Sequence, residues 1–248
     1  MLYIRSLIFT LIMISTVPLF VVPGLLLYPF PYKVRYGFLS LWAKSIVVWL
    51  RVICNLKYEV INSENVPDGP AIIFCKHQSA WETIALQAIF PPQVWVLKHE
   101  LIKVPIFGWA LAMLESIAID RGAGKKAVDQ IVEQGKQRLQ TGKWIVIFPE
   151  GTRVAPGQRK KFGIGGAVLA ERSGYPVVLV AHNAGDFWRR RSLVKRSGVI
   201  KVVIGPTIDP AGKSAGEIKD IAEHWINETV DQISESKYTA GAAHQEVG

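Results

Sequence analysis

Between Arg5 and Lys33 the chain carries no charged side chain, and residues 7–27 are mostly Leu, Ile, Val, Phe and Met. A run of that length has to be shielded from water by a bilayer, whose hydrocarbon core takes about 20 apolar residues, or by a protein core. Pro18, Pro23, Gly24, Pro29 and Pro31 interrupt it. Each proline removes a backbone donor and crowds the preceding turn, so a straight spanning helix is not expected. Arg5 ahead of an apolar run also has the outline of a secretory leader. No alanine precedes Ala43, however, so the usual small-residue cleavage site is missing and the segment is expected to stay attached. Cationic residues flank the run on both sides, Arg5 before it and Lys33 and Arg35 after, and the positive-inside rule gives no orientation.

Residues 33–56 read differently. Trp42 and Trp49 are seven apart and share one helical face; Lys44 and Arg51, also seven apart, share another. The offset of two residues sets the pairs on nearly opposite faces. Apolar bulk, tryptophans and a thin cationic stripe describe a helix lying in a membrane interface. The competing reading is a helix buried against the domain core. Residues 1–57 are predicted to form a membrane-anchoring helical hairpin.

The chain as a whole is basic, with a formal net charge of +9. Such a surface calls for an anionic partner, whether nucleic acid, phospholipid headgroups or a phosphorylated substrate. The basic residues sit at strand ends and loops rather than in a stripe interleaved with aromatics, which argues against nucleic acid. Cys54 and Cys75 have neither zinc-type spacing nor a disulfide framework, so a reduced, cytosol-facing compartment fits.

After Lys57, apolar runs of strand length recur at 58–61, 71–75, 93–97, 116–119, 144–148, 176–181 and 199–204. Helical patterns intervene at 83–90, 124–142, around Gly165 to Ala170, and from Ile218 to Ile226, with a short amphipathic piece near Pro105 and Gly108. The expectation is an α/β fold, a layered mixed sheet flanked by helices, over residues 58–236, with a disordered tail at 237–248.

In open α/β sheets ligands gather outside the carboxyl ends of the strands, and three strand ends here carry unusual polar groups. Lys76-His77-Gln78-Ser79-Ala80-Trp81-Glu82 follows the second run, Asp120-Arg121 the fourth, and Pro149-Glu150-Gly151-Thr152-Arg153 the fifth. A histidine with a carboxylate just inside the next helix has the parts of a general base and its orienting partner. Ser79 to Glu82 is also a capping box, which accounts for both residues without catalysis. Glycine allows close backbone approach to a ligand, and an arginine fork matches phosphate oxygens. The blander reading of that fifth-strand end is an ordinary turn with a solvated arginine. Arg159, Lys160 and Lys161 form a basic loop that is either solvated or a weaker part of the same anion site. If the strand continues past Cys75, the cysteine and His77 share a face, and a Cys–His nucleophilic pair is conceivable beside the commoner buried thiol.

Taken together, the ordered series His77-x-x-x-x-Glu82, Arg121, Phe148-Pro149-Glu150-Gly151-Thr152-Arg153 and Tyr175-Pro176-Val177-Val178 resembles the bacterial 1-acyl-glycerol-3-phosphate acyltransferases, within the wider glycerolipid acyltransferase family. The resemblance covers residues 66–206, and Glu-Gly-Thr-Arg is its most specific block. The chain departs from the family in having Glu82 where aspartate is usual, and Ser116 to Asp120 departs from the commoner sequence before Arg121. The resemblance implies transfer of an acyl group from an acyl thioester, acyl-CoA or acyl-carrier protein, to the sn-2 hydroxyl of lysophosphatidic acid, giving phosphatidic acid. It implies His77 as base, oriented by Glu82 from the first turn of the helix, with Arg121, Glu150, Gly151, Thr152, Arg153 and, more weakly, Lys160 and Lys161 on the acceptor. It implies no metal and no cofactor beyond the donor, and a location at the inner (cytoplasmic) membrane with the catalytic domain facing the cytoplasm. Alternatives are the same chemistry on another lysophospholipid, a lyso-aminolipid or glycerol-3-phosphate, and a non-catalytic membrane lipid binder.

Overall fold

A computed structural model describes residues 1–238, apart from the side chain of Arg121; the expected tail lies outside the described residues except for Lys237 and Tyr238. All seven expected strands form: β1 (Leu56–Ile61), β2 (Ile72–Cys75), β3 (Gln93–Lys98), β4 (Ile117–Ile119), β5 (Trp144–Ile147), β6 (Val177–His182) and β7 (Gly198–Ile204). They make one mixed sheet in the order β1-β7-β6-β2-β5-β3-β4, parallel except for the antiparallel β6–β7 pair. The central strands β2, β5 and β6 are buried along their whole length, which is why their sequences are unbroken apolar runs rather than alternating ones. Because β6, β2, β5, β3 and β4 run the same way, the chain leaves all five on one rim of the sheet.

Helices cover both faces: α1 (Leu2–Gly24), α2 (Tyr32–Cys54), α3 (Trp81–Ile89), α4 (Phe107–Met113), α5 (Lys125–Gln140), α6 (Gly165–Ser173), α7 (Ala184–Phe187) and α8 (Ala215–Ile233). Residues of α1, α2 and α3 pack with one face of the sheet; residues of α5, α6 and α8 pack with the other.

Against expectation, α1 continues through Pro18 and Pro23. Each proline forfeits one hydrogen bond to the carbonyl four residues earlier. In apolar surroundings that loss is smaller than the loss from opening the helical ladder, whose groups would then find no partner. Both α1 and α2 are long and apolar enough to cross a membrane, and only Ser6, Phe9, Val21 and Gly24 of α1 are buried.

Residues 33–54 lie in one helix that has both a core face and an exposed face. Tyr36, Leu39, Ala43, Ile46, Leu50 and Cys54 belong to the core shared with the sheet, while Lys44, Trp49 and Arg51 are exposed. Trp42 turns toward α1, donating its Nε1–H to Thr16 Oγ1 at 3.1 Å. Arg35 ties the start of α2 to the far end of α4 through Glu115 (2.7 Å) and the Met113 carbonyl (3.1 Å). α1 is held separately, by Lys195. That buried side chain donates to Thr10 Oγ1 at 2.5 Å and to the Leu193 carbonyl at 2.8 Å, and its own N–H meets Ser6 Oγ at 2.9 Å.

A helix that shares the core should respond to truncation as core does. Leu50→Ala is expected to cost about 3 kcal/mol in detergent-solubilised protein, and Leu41→Ala, on an exposed face, under about 0.5 kcal/mol. Equal, small effects on thermal unfolding would show α2 to be an appendage instead.

Candidate active site

The site forms where β2 ends. Past Cys75 the chain leaves the ladder, and His77 to Ala80 form the turn that precedes α3. The His77 ring lies flat on Phe148 at the end of β5, centroids 4.0 Å apart and planes inclined by 15°. Its Nδ1–H donates to Glu82 Oε1 at 2.8 Å. Glu82 is the second residue of α3, and its buried carboxylate also accepts the N–H groups of Gln78 (2.9 Å) and Ser79 (2.8 Å to Oε1, 3.1 Å to Oε2). Ser79 Oγ accepts the Trp81 N–H at 3.1 Å, and the helix begins one turn-residue later than a Ser79 cap would place it. The capping reading and the orienting reading therefore describe one carboxylate. Burial works against the Glu82 charge, but His182, the His77 ring and the Ser79 N–H outweigh it and hold the carboxyl below its ordinary range. With Nδ1 committed as a donor, the partly exposed imidazole keeps Nε2 as its unprotonated atom, and no described residue hydrogen-bonds it.

Two residues with no role in the sequence reading complete the arrangement. Lys76 is buried and pairs with Glu150 Oε1 at 2.5 Å, while the other oxygen of Glu150 accepts the His77 N–H at 2.9 Å. His182, at the end of β6, is fully buried; its Nδ1 accepts the Ala184 N–H (3.2 Å), so its Nε2–H donates to the Lys76 carbonyl (2.8 Å). Glu82 Oε2 stands 3.9 Å from the same Nε2. Burial drives the His182 pKa down, opposed by the Glu82 carboxylate and the bond to the Lys76 carbonyl. Lys76 neighbours the histidine in sequence, and His182 obeys the same strand-end rule that singles out His77.

Glu150 differs from what the resemblance implies. Its carboxylate is turned inward and both oxygens are engaged, so it holds the backbone of His77 rather than facing an acceptor. Burial raises its pKa, opposed by Lys76 and the His77 N–H. Gly151 takes φ +68°, a left-handed conformation that favours glycine, and its N–H meets the Phe148 carbonyl at 2.9 Å. Thr152 and Arg153 are half-buried in the loop that follows, and the Val154 N–H donates to the His77 carbonyl at 2.8 Å, keeping this loop against the histidine turn. Arg153 Nε is buried and has no hydrogen-bond partner among the described residues. Arg121 opens a 3₁₀ turn, Arg121–Ala123, beyond β4 on the same rim. Lys160 and Lys161 are exposed on the loop before α6 and make no ion pair or hydrogen bond to a described residue, whereas Arg159 pairs with Asp231 of α8.

Cys75 is excluded as a nucleophile. Its fully buried thiol has its pKa pushed well up by desolvation and by the Glu82 and Glu150 charges, and its S–H points to the Lys76 carbonyl at 3.3 Å. Among the described residues no group of three His, Cys, Asp or Glu side chains is placed to hold a metal.

The chain as a whole is similar to known proteins. The acyltransferase family model matches residues 57–183. The chain is 43% identical over 224 residues to a 1-acyl-sn-glycerol-3-phosphate acyltransferase of Pseudomonas aeruginosa, covering 89% of this chain and 85% of that one. It is 27% identical over 195 residues to the protein of the same name from Saccharomyces cerevisiae, covering 77% and 64% of the two chains. In fold it superposes on the crystal structure of the 1-acyl-sn-glycerophosphate acyltransferase of Thermotoga maritima with a TM-score of 0.76, at 22% identity over 97% of this chain and 100% of that one.

Two expectations follow from the buried charges. Lys76→Met leaves Glu150 buried and unpaired and is expected to cost about 3 kcal/mol, much of which returns in Lys76→Met/Glu150→Gln; equal unfolding of the two variants would refute the pairing. His182 has an ordinary pKa of 6.5 when unfolded and a lower one when folded. Below pH 6.5 the unfolded chain takes up a proton that the folded chain refuses, so this group's contribution is full above 6.5 and lost as pH falls. His182→Gln, which keeps a donor and an acceptor, should flatten the fall in Tm between about pH 6.5 and 5. A fall as steep as in the native protein would assign it to other groups.

Proposed function

The chain belongs to the acyltransferase family, and on that premise we propose that it moves a fatty acyl group from an acyl thioester to the free sn-2 hydroxyl of lysophosphatidic acid, yielding phosphatidic acid. The observation that carries the reading is the His77–Glu82 pair, with Nδ1 bonded to a buried carboxylate and Nε2 left open on the rim. The 43% identity to a 1-acyl-sn-glycerol-3-phosphate acyltransferase supports this acceptor over the others that the motif set allows.

In this mechanism His77 Nε2 takes the proton of the acceptor hydroxyl as its oxygen attacks the thioester carbonyl. The buried Glu82 carboxylate stabilises the imidazolium that forms, as the acid of a serine-hydrolase triad does, with the substrate hydroxyl in the serine's place. Collapse of the tetrahedral adduct breaks the carbon–sulfur bond, and the departing thiolate takes the proton back from Nε2. Carbon, sulfur and proton all balance without a cofactor; the donor, acyl-CoA or acyl-carrier protein, is a co-substrate. Arg153 and Arg121, with Gly151 and Thr152 on the same loop system, are assigned to the acceptor phosphate, and Lys160 and Lys161 supply a wider positive field. Glu150 is assigned a positioning role through Lys76 and the His77 backbone. The two apolar helices support a membrane location, where its acceptor resides, and the free cysteines and thioester donor favour the cytoplasmic side of the inner membrane.

Acyl transfer is measured in detergent from a long-chain acyl thioester to lysophosphatidic acid, with glycerol-3-phosphate and other lysolipids as competing acceptors. His77→Ala is expected to lower kcat at least a hundredfold, roughly the scale of general-base catalysis, in a protein that stays folded. Glu82→Gln keeps an oxygen for the Gln78 and Ser79 N–H groups but loses the charge, and should cost about a hundredfold in kcat with little change in KM. Activity surviving His77→Ala would refute the base assignment; preference for another acceptor would keep the chemistry and replace the substrate.

A further inference from the structure

β3 ends on the same rim as His77, next to β5, whose end carries Phe148 and Glu150. The chain leaves it through a 3₁₀ segment, His99–Lys103, and enters α4. This stretch is short, yet it exposes Leu101, Val104, Phe107 and Trp109, the two aromatics at 43% and 47%. Water-facing aromatics grouped this closely on a charged domain mark a contact surface rather than chance exposure.

The backbone here is folded to present them. Ile106, a β-branched residue, takes φ +65°, a conformation that such side chains rarely adopt. Gly108 packs so tightly that a Cβ there would stand 2.0 Å from the Ile102 carbonyl oxygen. Its N–H closes on the Val104 carbonyl at 2.7 Å, and the Phe107 N–H on that of Pro105 at 2.7 Å. Ile102 and Leu111 point the other way, into the core, and Met113 is buried with it. The segment is thus a rigid knuckle with an inner and an outer face.

What covers the outer face is indicated by its neighbours. α4 packs against α1 and α2. The outward residues of α1 include Leu7, Leu11, Ile14 and Leu19, all exposed. Lys98, which pairs with the exposed Glu100 at 3.1 Å, and Lys103, which has no ion pair to a described residue, border the knuckle. Aliphatic and aromatic side chains rimmed by lysines suit the boundary between acyl chains and anionic headgroups.

We propose that the knuckle at 99–109 inserts Phe107 and Trp109 into the lipid surface as a second membrane contact, separate from the α1–α2 hairpin. Its position beside the end of β5 makes it the point at which a lysolipid still seated in the bilayer reaches His77. The role in lysolipid delivery rests on the acyl-transfer reading above; the insertion itself does not.

The two parts are tested separately. Insertion is read with full-length protein on phosphatidylglycerol–phosphatidylethanolamine vesicles whose acyl chains carry bromine, which quenches tryptophan only on contact within the bilayer. Trp109→Phe is expected to lose part of the quench seen with native protein; an unchanged quench overturns insertion, whatever the activity. Delivery is read with Phe107→Ser/Trp109→Ser. Its kcat/KM should fall about tenfold on long-chain lysophosphatidic acid held in vesicles and stay within about twofold on a short-chain, monomeric analogue in solution. Equal losses on both acceptors, or none on either, overturn the delivery role. Native protein that acylates neither acceptor refutes the acyl-transfer reading and with it the delivery role, and leaves insertion to be decided by the quench.

Discussion

The ion pair between Lys76 and Glu150 fastens the carboxyl end of β2 to that of β5, and the geometry around His77 depends on it. One oxygen of Glu150 takes the ammonium and the other takes the His77 N–H, which sets the backbone from which the imidazole projects. Phe148, one residue before Pro149 on the same strand end, then supplies the surface on which the ring lies. A pair so fully desolvated adds little net stability, because bringing two charges out of water costs about what their attraction returns. Its contribution is positional. It explains why a carboxylate in the most family-specific stretch of the chain is hidden from solvent while the arginine three residues on is not.

Glu82 and Glu150 stand on one rim and are tuned in opposite directions by what surrounds them. Glu82 is equally buried but collects two backbone N–H groups and an imidazole N–H, enough to keep it ionised. Glu150 has one ammonium and one N–H, and burial dominates. An ionised, immobile Glu82 suits the partner of a histidine that, in the proposed mechanism, becomes positively charged in each cycle. The extra methylene of glutamate over aspartate is accommodated because the side chain reaches back from the second residue of α3 to the turn, serving the helix end and the imidazole together.

Much of this was legible in the sequence, for stated reasons. Strand positions followed from buried apolar runs, and the rim followed from polar residues at their ends. The partners within the rim were not legible, because they join β2 to β5 and to β6, strands far apart in sequence. Lys76 reads as an unremarkable lysine until β5 is laid beside β2, and His182 as a strand terminus until β6 is laid on the other side. That α1 runs unbroken through Pro18 and Pro23 is not legible from the prolines, because their usual penalty assumes water is available to the freed carbonyls. The face pattern of α2 was read correctly as two opposed faces, but periodicity alone could not say that a third belonged to the core of the domain.

That shared core has a consequence for how catalysis and membrane meet. Only Asn55, in a left-handed conformation at φ 50°, separates the end of α2 from the start of β1. Leu50 and Cys54 lie in the same cluster as Ala85, the fifth residue of the helix that carries Glu82, and as Phe148 beneath His77. No flexible linker lets the sheet move independently of the apolar helices. Under the proposed membrane location, the depth at which those helices rest in lipid would therefore fix the height of His77 Nε2 above it. A hydroxyl one glycerol carbon away from a phosphate also lies at a fixed depth in a bilayer, so matching the two requires a rigid join rather than a tether.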